Sequence, residues 1–110
     1  MIPFNKPFII GNELKYIEDA VKSGKISGDG IFTKKCQEFF QTKYSFPKVL
    51  LTTSCTDALE MAAILCNIKE GDEVIVPSYT FVSSANAFTL RGAKIIFADS
   101  YSDNPNVDPE

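Results

Sequence analysis

The chain of 110 residues carries 11 basic and 14 acidic side chains, a formal net charge of −3, and 45% of its residues are hydrophobic; this excludes a disordered tail and suffices for one domain with its own core. The basic residues are scattered, which excludes the electrostatic footprint of a nucleic-acid or anionic-membrane binder. Three cysteines without a CxxC pair and the lack of any histidine argue against a disulfide scaffold, an ordinary zinc site and Ser-His-Asp or Cys-His triads, leaving carboxylates, lysines or a cofactor for any chemistry.

In chain order, residues 13–23 place Leu14, Ile17 and Val21 on one helical face beside Ala20, with Gly24 as the stop. This predicts a surface helix packed on one side. Ser27-Gly28-Asp29-Gly30 has turn chemistry, its two glycines permitting positive φ. From Phe32 to Tyr44, the spacing of Phe32, Cys36, Phe39 and Phe40 at i, i+4, i+7 and i+8 predicts a second amphipathic helix. Val49-Leu50-Leu51, after Pro47, is long enough only for a buried strand. Residues 56–67 are almost all apolar or small, which predicts a helix buried nearly all round, and Gly71-Asp72 marks the turn after it. Val74-Ile75-Val76 reads as a second strand halted by Pro77. Residues 81–91 form a further core helix closed by Gly92, and residues 94–98 a third strand.

The expected order from Val49 is β-α-β-α-β, and crossover helices between short apolar strands imply a parallel sheet with right-handed connections. The fold class is α/β, three layers with a parallel or mixed sheet flanked by helices. Its organisation is two helices and a loop over residues 1–46, the β-α-β-α-β unit over 47–99 and a tail over 100–110. No run reaches the roughly 20 apolar residues of a membrane span, and Met1-Ile2-Pro3-Phe4 lacks the flank and core of a signal peptide. A cytoplasmic address is expected, with no membrane and no nucleic acid as partner.

Ligands of open α/β sheets bind beyond the carboxyl ends of the strands. Two segments occupy that place. Thr52-Thr53-Ser54-Cys55-Thr56-Asp57 leads into a helix, whose free N–H groups and dipole favour an anion such as phosphate; on spacing alone the commoner role is that Ser54 or Thr56 merely caps the helix. Pro77-Ser78-Tyr79-Thr80-Phe81 follows the second strand. Phe81 suits either stacking on a planar cofactor or the core, where most of the nine phenylalanines belong. Asp99 reads as a turn or cap residue, and Gly28-Asp29-Gly30 as a turn.

Five segments, taken in order, resemble one family. They are Met1-Ile2-Pro3-Phe4-Asn5, Ser23-Gly24-Lys25 with Gly28-Asp29-Gly30, Val49 through Thr56, Gly71 through Phe81, and Ala85-Asn86-Ala87-Phe88 with Leu90-Arg91-Gly92-Ala93-Lys94. The family is the sugar-nucleotide aminotransferases, fold-type I enzymes that use pyridoxal 5′-phosphate (PLP), and the likeness is to the amino-terminal part of their large domain. It implies transfer of an amino group, usually from glutamate, to the 4-oxo carbon of a nucleotide-linked 6-deoxyhexose. Within the family it leans to members acting on dTDP-linked sugars for cell-surface polysaccharide such as enterobacterial common antigen. It further implies a cofactor phosphate held by the backbone of Cys55, Thr56 and Asp57, and Phe81 stacked on the pyridine ring. Gly28, Asp29 and Gly30 would lie near the sugar-nucleotide site or the interface of a homodimer or higher homo-oligomer. Cys55 stands where many relatives have glycine, and the Asp57 carboxylate would repel a phosphate unless turned away.

None of the lysines from Lys6 to Lys94 matches the family's Schiff-base lysine, so the chain is expected to be an amino-terminal fragment with no catalytic residue of its own and no activity alone. A non-catalytic phosphate- or nucleotide-binding module, or a dimerisation module, is the alternative expectation.

Overall fold

The computed structural model describes residues 1–109, which divide into one unit spanning Met1–Leu51 and a second that begins at Thr52.

In the first unit, helix α1 (Glu13–Lys22) begins where the Glu13 carboxylate accepts the backbone N–H groups of Ile10 at 2.8 Å and Gly11 at 2.9 Å. The Ile10 N–H foremost, then the other nearby backbone donors, hold this carboxyl below its ordinary value. The helix ends as expected at Gly24, whose φ of +71° a side chain would resist. Helix α2 (Ile31–Tyr44) follows a turn in which the positive φ falls on Asp29, at 58°, rather than on either flanking glycine. Aspartate tolerates this conformation because its short polar side chain can hydrogen-bond locally. The ring of Tyr16 meets that of Phe32 edge-on at 5.4 Å, and Phe40, Tyr44 and Phe46 stack in series. No described residue of this unit is buried. The Leu14, Ile17 and Val21 face, expected to be packed, is therefore uncovered.

The second unit runs α3 (Cys55–Leu65), β1 (Glu73–Pro77), α4 (Ser83–Thr89) and β2 (Lys94–Ala98). The strands pair in parallel from Glu73 opposite Lys94 to Pro77 opposite Ala98, with α4 in the crossover. Beyond Pro77, which ends β1, the Ser78 N–H still donates to the Ala98 carbonyl at 2.8 Å. Small residues permit close approach here: α3 packs on α4 and α4 on both strands, with Ala63, Val76, Ala87 and Ala93 buried. Lys94 Nζ closes the far end of the ladder on Glu73 Oε1 at 2.8 Å.

Three expectations need correction. Val49-Leu50-Leu51 is not a strand, because a strand exists only where a neighbour completes its backbone hydrogen bonds, and the described sheet holds β1 and β2 alone. The expected β-α-β-α-β is thus α-β-α-β, still with a parallel sheet. Helix α3 is not buried all round: Ile64 and Leu65 are 56% and 76% exposed. Helix α4 is shorter than residues 81–91, since Phe81 and Val82 form the turn ahead of it.

Gly92 closes α4 with a φ of +87°, and a Cβ there would stand 3.1 Å from the Glu70 nitrogen and 3.2 Å from its Cα. Strain of about 1–2 kcal/mol for a left-handed alanine then adds to a clash with backbone that cannot swing away. Gly92→Ala is expected to destabilise the second unit by at least that amount, read as a lowered urea midpoint with unchanged slope.

Candidate functional site

The start of α3 is built by four side chains, those of Thr52, Thr53, Ser54 and Asp57. Ser54 is the N-cap in extended conformation, and its Oγ accepts the Asp57 N–H at 3.1 Å. Its carbonyl accepts the Ala58 N–H at 3.2 Å and the Thr52 hydroxyl at 2.7 Å. The Thr53 hydroxyl donates to Asp57 Oδ2. The N–H groups of Cys55 and Thr56 have no acceptor among the described residues, as helix geometry requires of a first turn unless something supplies one. Cap and open donors therefore coexist: Ser54 takes one N–H and leaves two. The helix begins at Cys55, one residue before the expected Thr56.

Asp57 sits fully exposed in this first turn, and the Thr53 hydroxyl first, then Ser54, holds its carboxyl below the ordinary aspartate value of 3.8. A depressed folded-state pKa contributes stability that is present above the unfolded value and lost as pH falls through the folded one. Stability of the second unit is expected to be level above about pH 5 and to decline below about pH 4, with Asp57→Asn flattening part of that decline in urea titrations at successive pH values.

Phe81 is 74% exposed among the described residues. Its carbonyl accepts the Ser84 N–H at 2.9 Å, and the Thr80 hydroxyl donates to Ser84 Oγ at 3.0 Å, which fixes the turn while leaving the ring free. Two residues further on, Ser83 shares with Thr56 a groove of about 400 Å³ that Glu60, Asn86, Thr89 and Leu90 complete. Packing of α3 against α4 thus brings Thr56 to the same groove as the first residue of α4.

The other candidates are on other segments of the chain. In the first unit, the Asp29 carbonyl accepts Lys25 Nζ at 3.1 Å, and Gly30 is the N-cap of α2 with no side-chain bond. Asp99 caps its own turn, Oδ1 accepting the Ser100 N–H at 2.8 Å and the carbonyl accepting the Asp108 N–H at 2.9 Å. No group of three or more His, Cys, Asp or Glu side chains among the described residues could hold a metal. The Thr53 and Asp57 pair escaped sequence reasoning, although Ser54-x-x-Asp57 has the spacing of a capping box and was there to be read.

Comparison with known proteins bears on this arrangement. The chain is 34% identical over its whole length to the GDP-perosamine synthase of Vibrio cholerae, spanning 30% of that protein. Among solved structures, a sugar aminotransferase from Streptococcus pneumoniae in its PLP form superposes with a TM-score of 0.88 at 33% identity, covering 97% of this chain and 27% of that one. The aminotransferase TlmJ from Streptoalloteichus hindustanus gives 0.87 at 31%, with 97% and 30% covered. The chain therefore spans under a third of the length of these relatives, and its fold is that of the fold-type I PLP aminotransferases. The pneumococcal protein is also solved in a pyridoxamine form, and PLP is the family's cofactor. The model of the DegT/DnrJ/EryC1/StrS aminotransferase family matches residues 7–110, and on that span the chain belongs to this family.

Proposed function

We propose that these residues form the cofactor-phosphate part of a PLP-dependent aminotransferase that moves an amino group, from a donor such as glutamate, to the 4-oxo carbon of a nucleotide-linked 6-deoxyhexose. The observation that carries this reading is the pair of open N–H groups on Cys55 and Thr56 at the start of α3. The donor set suits the group: a phosphate needs N–H donors, which the helix start offers, and a flat ring needs an exposed aromatic such as Phe81. PLP, when bound, supplies the electron sink for the amino transfer. The chain's own part is to hold the phosphate by backbone donors and to orient the ring against Phe81. In this reading Asp57 offers its N–H only if phosphate displaces the Ser54 hydroxyl.

The loop of Gly28, Asp29 and Gly30 is assigned to the nucleotide sugar. Sequence resemblance favours a dTDP-linked sugar, whereas the perosamine synthases among the relatives, from Vibrio cholerae and Escherichia coli O157:H7, carry GDP in their names and favour a GDP-linked one. Activity of the full-length enzyme on the two nucleotides decides between them. The same reading carries a cytoplasmic homodimer and a role in cell-surface polysaccharide synthesis, and no described helix is long and apolar enough to cross a membrane.

The phosphate assignment is tested on the chain itself. Inorganic phosphate, followed by its ³¹P resonance, is expected to bind with about millimolar affinity, on the order of −4 kcal/mol. Cys55→Pro and Thr56→Pro each delete one donor, and the first is the milder because proline is tolerated at the opening position of a helix. Both are expected to weaken phosphate at least about tenfold, the loss of one charge-assisted hydrogen bond; unchanged affinity in both would overturn the assignment.

A further inference from the structure

We propose that the groove between α3 and α4 binds a hydroxylated primary amine, its ammonium paired with Glu60 and its hydroxyl groups taken by Ser83, Asn86 and Thr89. The inference stands on the chemistry of this groove and does not need the phosphate reading of Cys55 and Thr56.

Helical spacing makes the groove. Glu60 follows Thr56 by four residues on α3, and Ser83, Asn86 and Thr89 follow one another by three on α4, so each helix turns a polar stripe to the same space. The helices come close because the residues where they are buried are small, Ala63 on α3 and Ala87 on α4. Glu60 and Ser83 are half-buried, yet among the described residues the side chains of Glu60, Ser83 and Asn86 make no hydrogen bond or ion pair. A polar group that gives up water without a partner costs free energy, and three such groups along one groove can be satisfied by one ligand. The Thr89 hydroxyl donates to the Ala85 carbonyl at 2.9 Å, which leaves it to act only as an acceptor.

Charge selects the ligand. Glu60 is the only ionisable residue lining the groove, neither α3 nor α4 carries a lysine or arginine, and Arg91, just past Leu90, makes no ion pair among the described residues. Beside Glu60 an anion is therefore disfavoured and an ammonium favoured, since it brings three donors and no acceptor. One carboxylate is too few for a divalent cation, which takes six or more oxygens. The Ser83 hydroxyl and the Asn86 amide each donate and accept, which suits hydroxyl groups, and Leu90 offers an apolar wall to a ring's C–H surface. At about 400 Å³ the space has the size of a small-molecule site.

The test is a titration of the chain in phosphate-free buffer at about pH 6, where glutamate is ionised and an amine protonated, followed by ¹H–¹⁵N shifts. The probe is glucosamine, set against glucose, which lacks the ammonium, and cyclohexylamine, which lacks the hydroxyls. Glucosamine is expected to move the amides of Glu60, Ser83 and Asn86 together, with affinity on the order of millimolar. Glucose should bind about fivefold or more weakly for want of the charged pair at a half-buried site, and cyclohexylamine about threefold or more weakly for want of neutral hydrogen bonds. Glu60→Gln keeps the side chain's shape and should cost glucosamine about fivefold and glucose little, so that the preference between them disappears. Asn86→Ala should weaken glucosamine and glucose alike, about threefold, and leave cyclohexylamine unchanged. The comparison of the three ligands needs no variant, so it stands whatever a substitution does to folding. Glucose or cyclohexylamine binding the parent as tightly as glucosamine, an unchanged glucosamine affinity in Glu60→Gln, shifts confined to amides outside the groove, or no response to glucosamine at all would each overturn the proposal, and none of these results bears on the phosphate titration.

Discussion

Purified as 110 residues and supplied with PLP, glutamate and a nucleotide-linked 4-oxo-6-deoxyhexose, the chain is expected to give no amino transfer at all. The family's chemistry needs a lysine made nucleophilic by a desolvated or cation-rich setting, and no lysine here has one. Lys69 and Lys94, the lysines of the second unit, are exposed and engaged with carboxylates, Lys69 with Asp72 at 3.6 Å and Lys94 with Glu73 at 2.8 Å. The relatives are more than three times as long, so most of their residues have no counterpart in these 110. A coupled assay for 2-oxoglutarate reads the result, and turnover above the no-protein rate would show that one of these lysines serves after all.

Much of this fold was legible because local signals and tertiary structure agree. Gly24 and Gly92 were read as helix stops and adopt φ of +71° and +87°; the apolar run of residues 94–98 became β2 with those bounds. What failed depended on partners that sequence periodicity does not encode. Val49-Leu50-Leu51 has a buried strand's composition, yet its backbone finds no ladder. Helix α3 has a buried helix's composition, and its Ile64 and Leu65 meet solvent. Composition reports what a segment would bury, not whether a neighbour is there to bury it.

The candidate site divides in the same way. A first turn leaves N–H groups open, so the Thr52-to-Asp57 stretch marked the place, while Cys55, Thr56 and Asp57 were named by the family resemblance and the helix start moved from Thr56 to Cys55. The geometry shows the cap, Ser54 taking the Asp57 N–H, and leaves the N–H groups of Cys55 and Thr56 open. Where the Asp57 carboxylate goes was beyond reach because two hydroxyls, on Thr53 and Ser54, compete for it and backbone geometry decides. For Phe81, burial statistics favoured the core and the family resemblance favoured stacking. Among the described residues its ring stays 74% exposed.

The isolated chain is also expected to self-associate. Its buried hydrophobic residues are three alanines and a valine, Ala63, Ala87, Ala93 and Val76, and among the described residues no large side chain is fully enclosed. Fixing a residue's backbone costs about 1–2 kcal/mol, and so small a core does little to offset that. The apolar surface that could do more faces water. Ile75 on β1 and Phe97 on β2 are 70% and 64% exposed, and Leu90, just past α4, is 71% exposed. Each strand, having one neighbour, presents an unpaired outer edge among the described residues, and such edges template pairing with another chain. Covering about 400 Å² of apolar surface contributes about 10 kcal/mol at roughly 25 cal/mol per Å², enough to compete with the entropy of association, put at about 4–15 kcal/mol. Light scattering across a concentration series should therefore show dimers or larger species. Ile75→Lys together with Phe97→Glu, which place one charge on each face of the two-stranded sheet, should shift the distribution toward monomer. A parent chain that stays monomeric at high concentration and melts cooperatively would show that these alanine contacts hold the fold without a second copy.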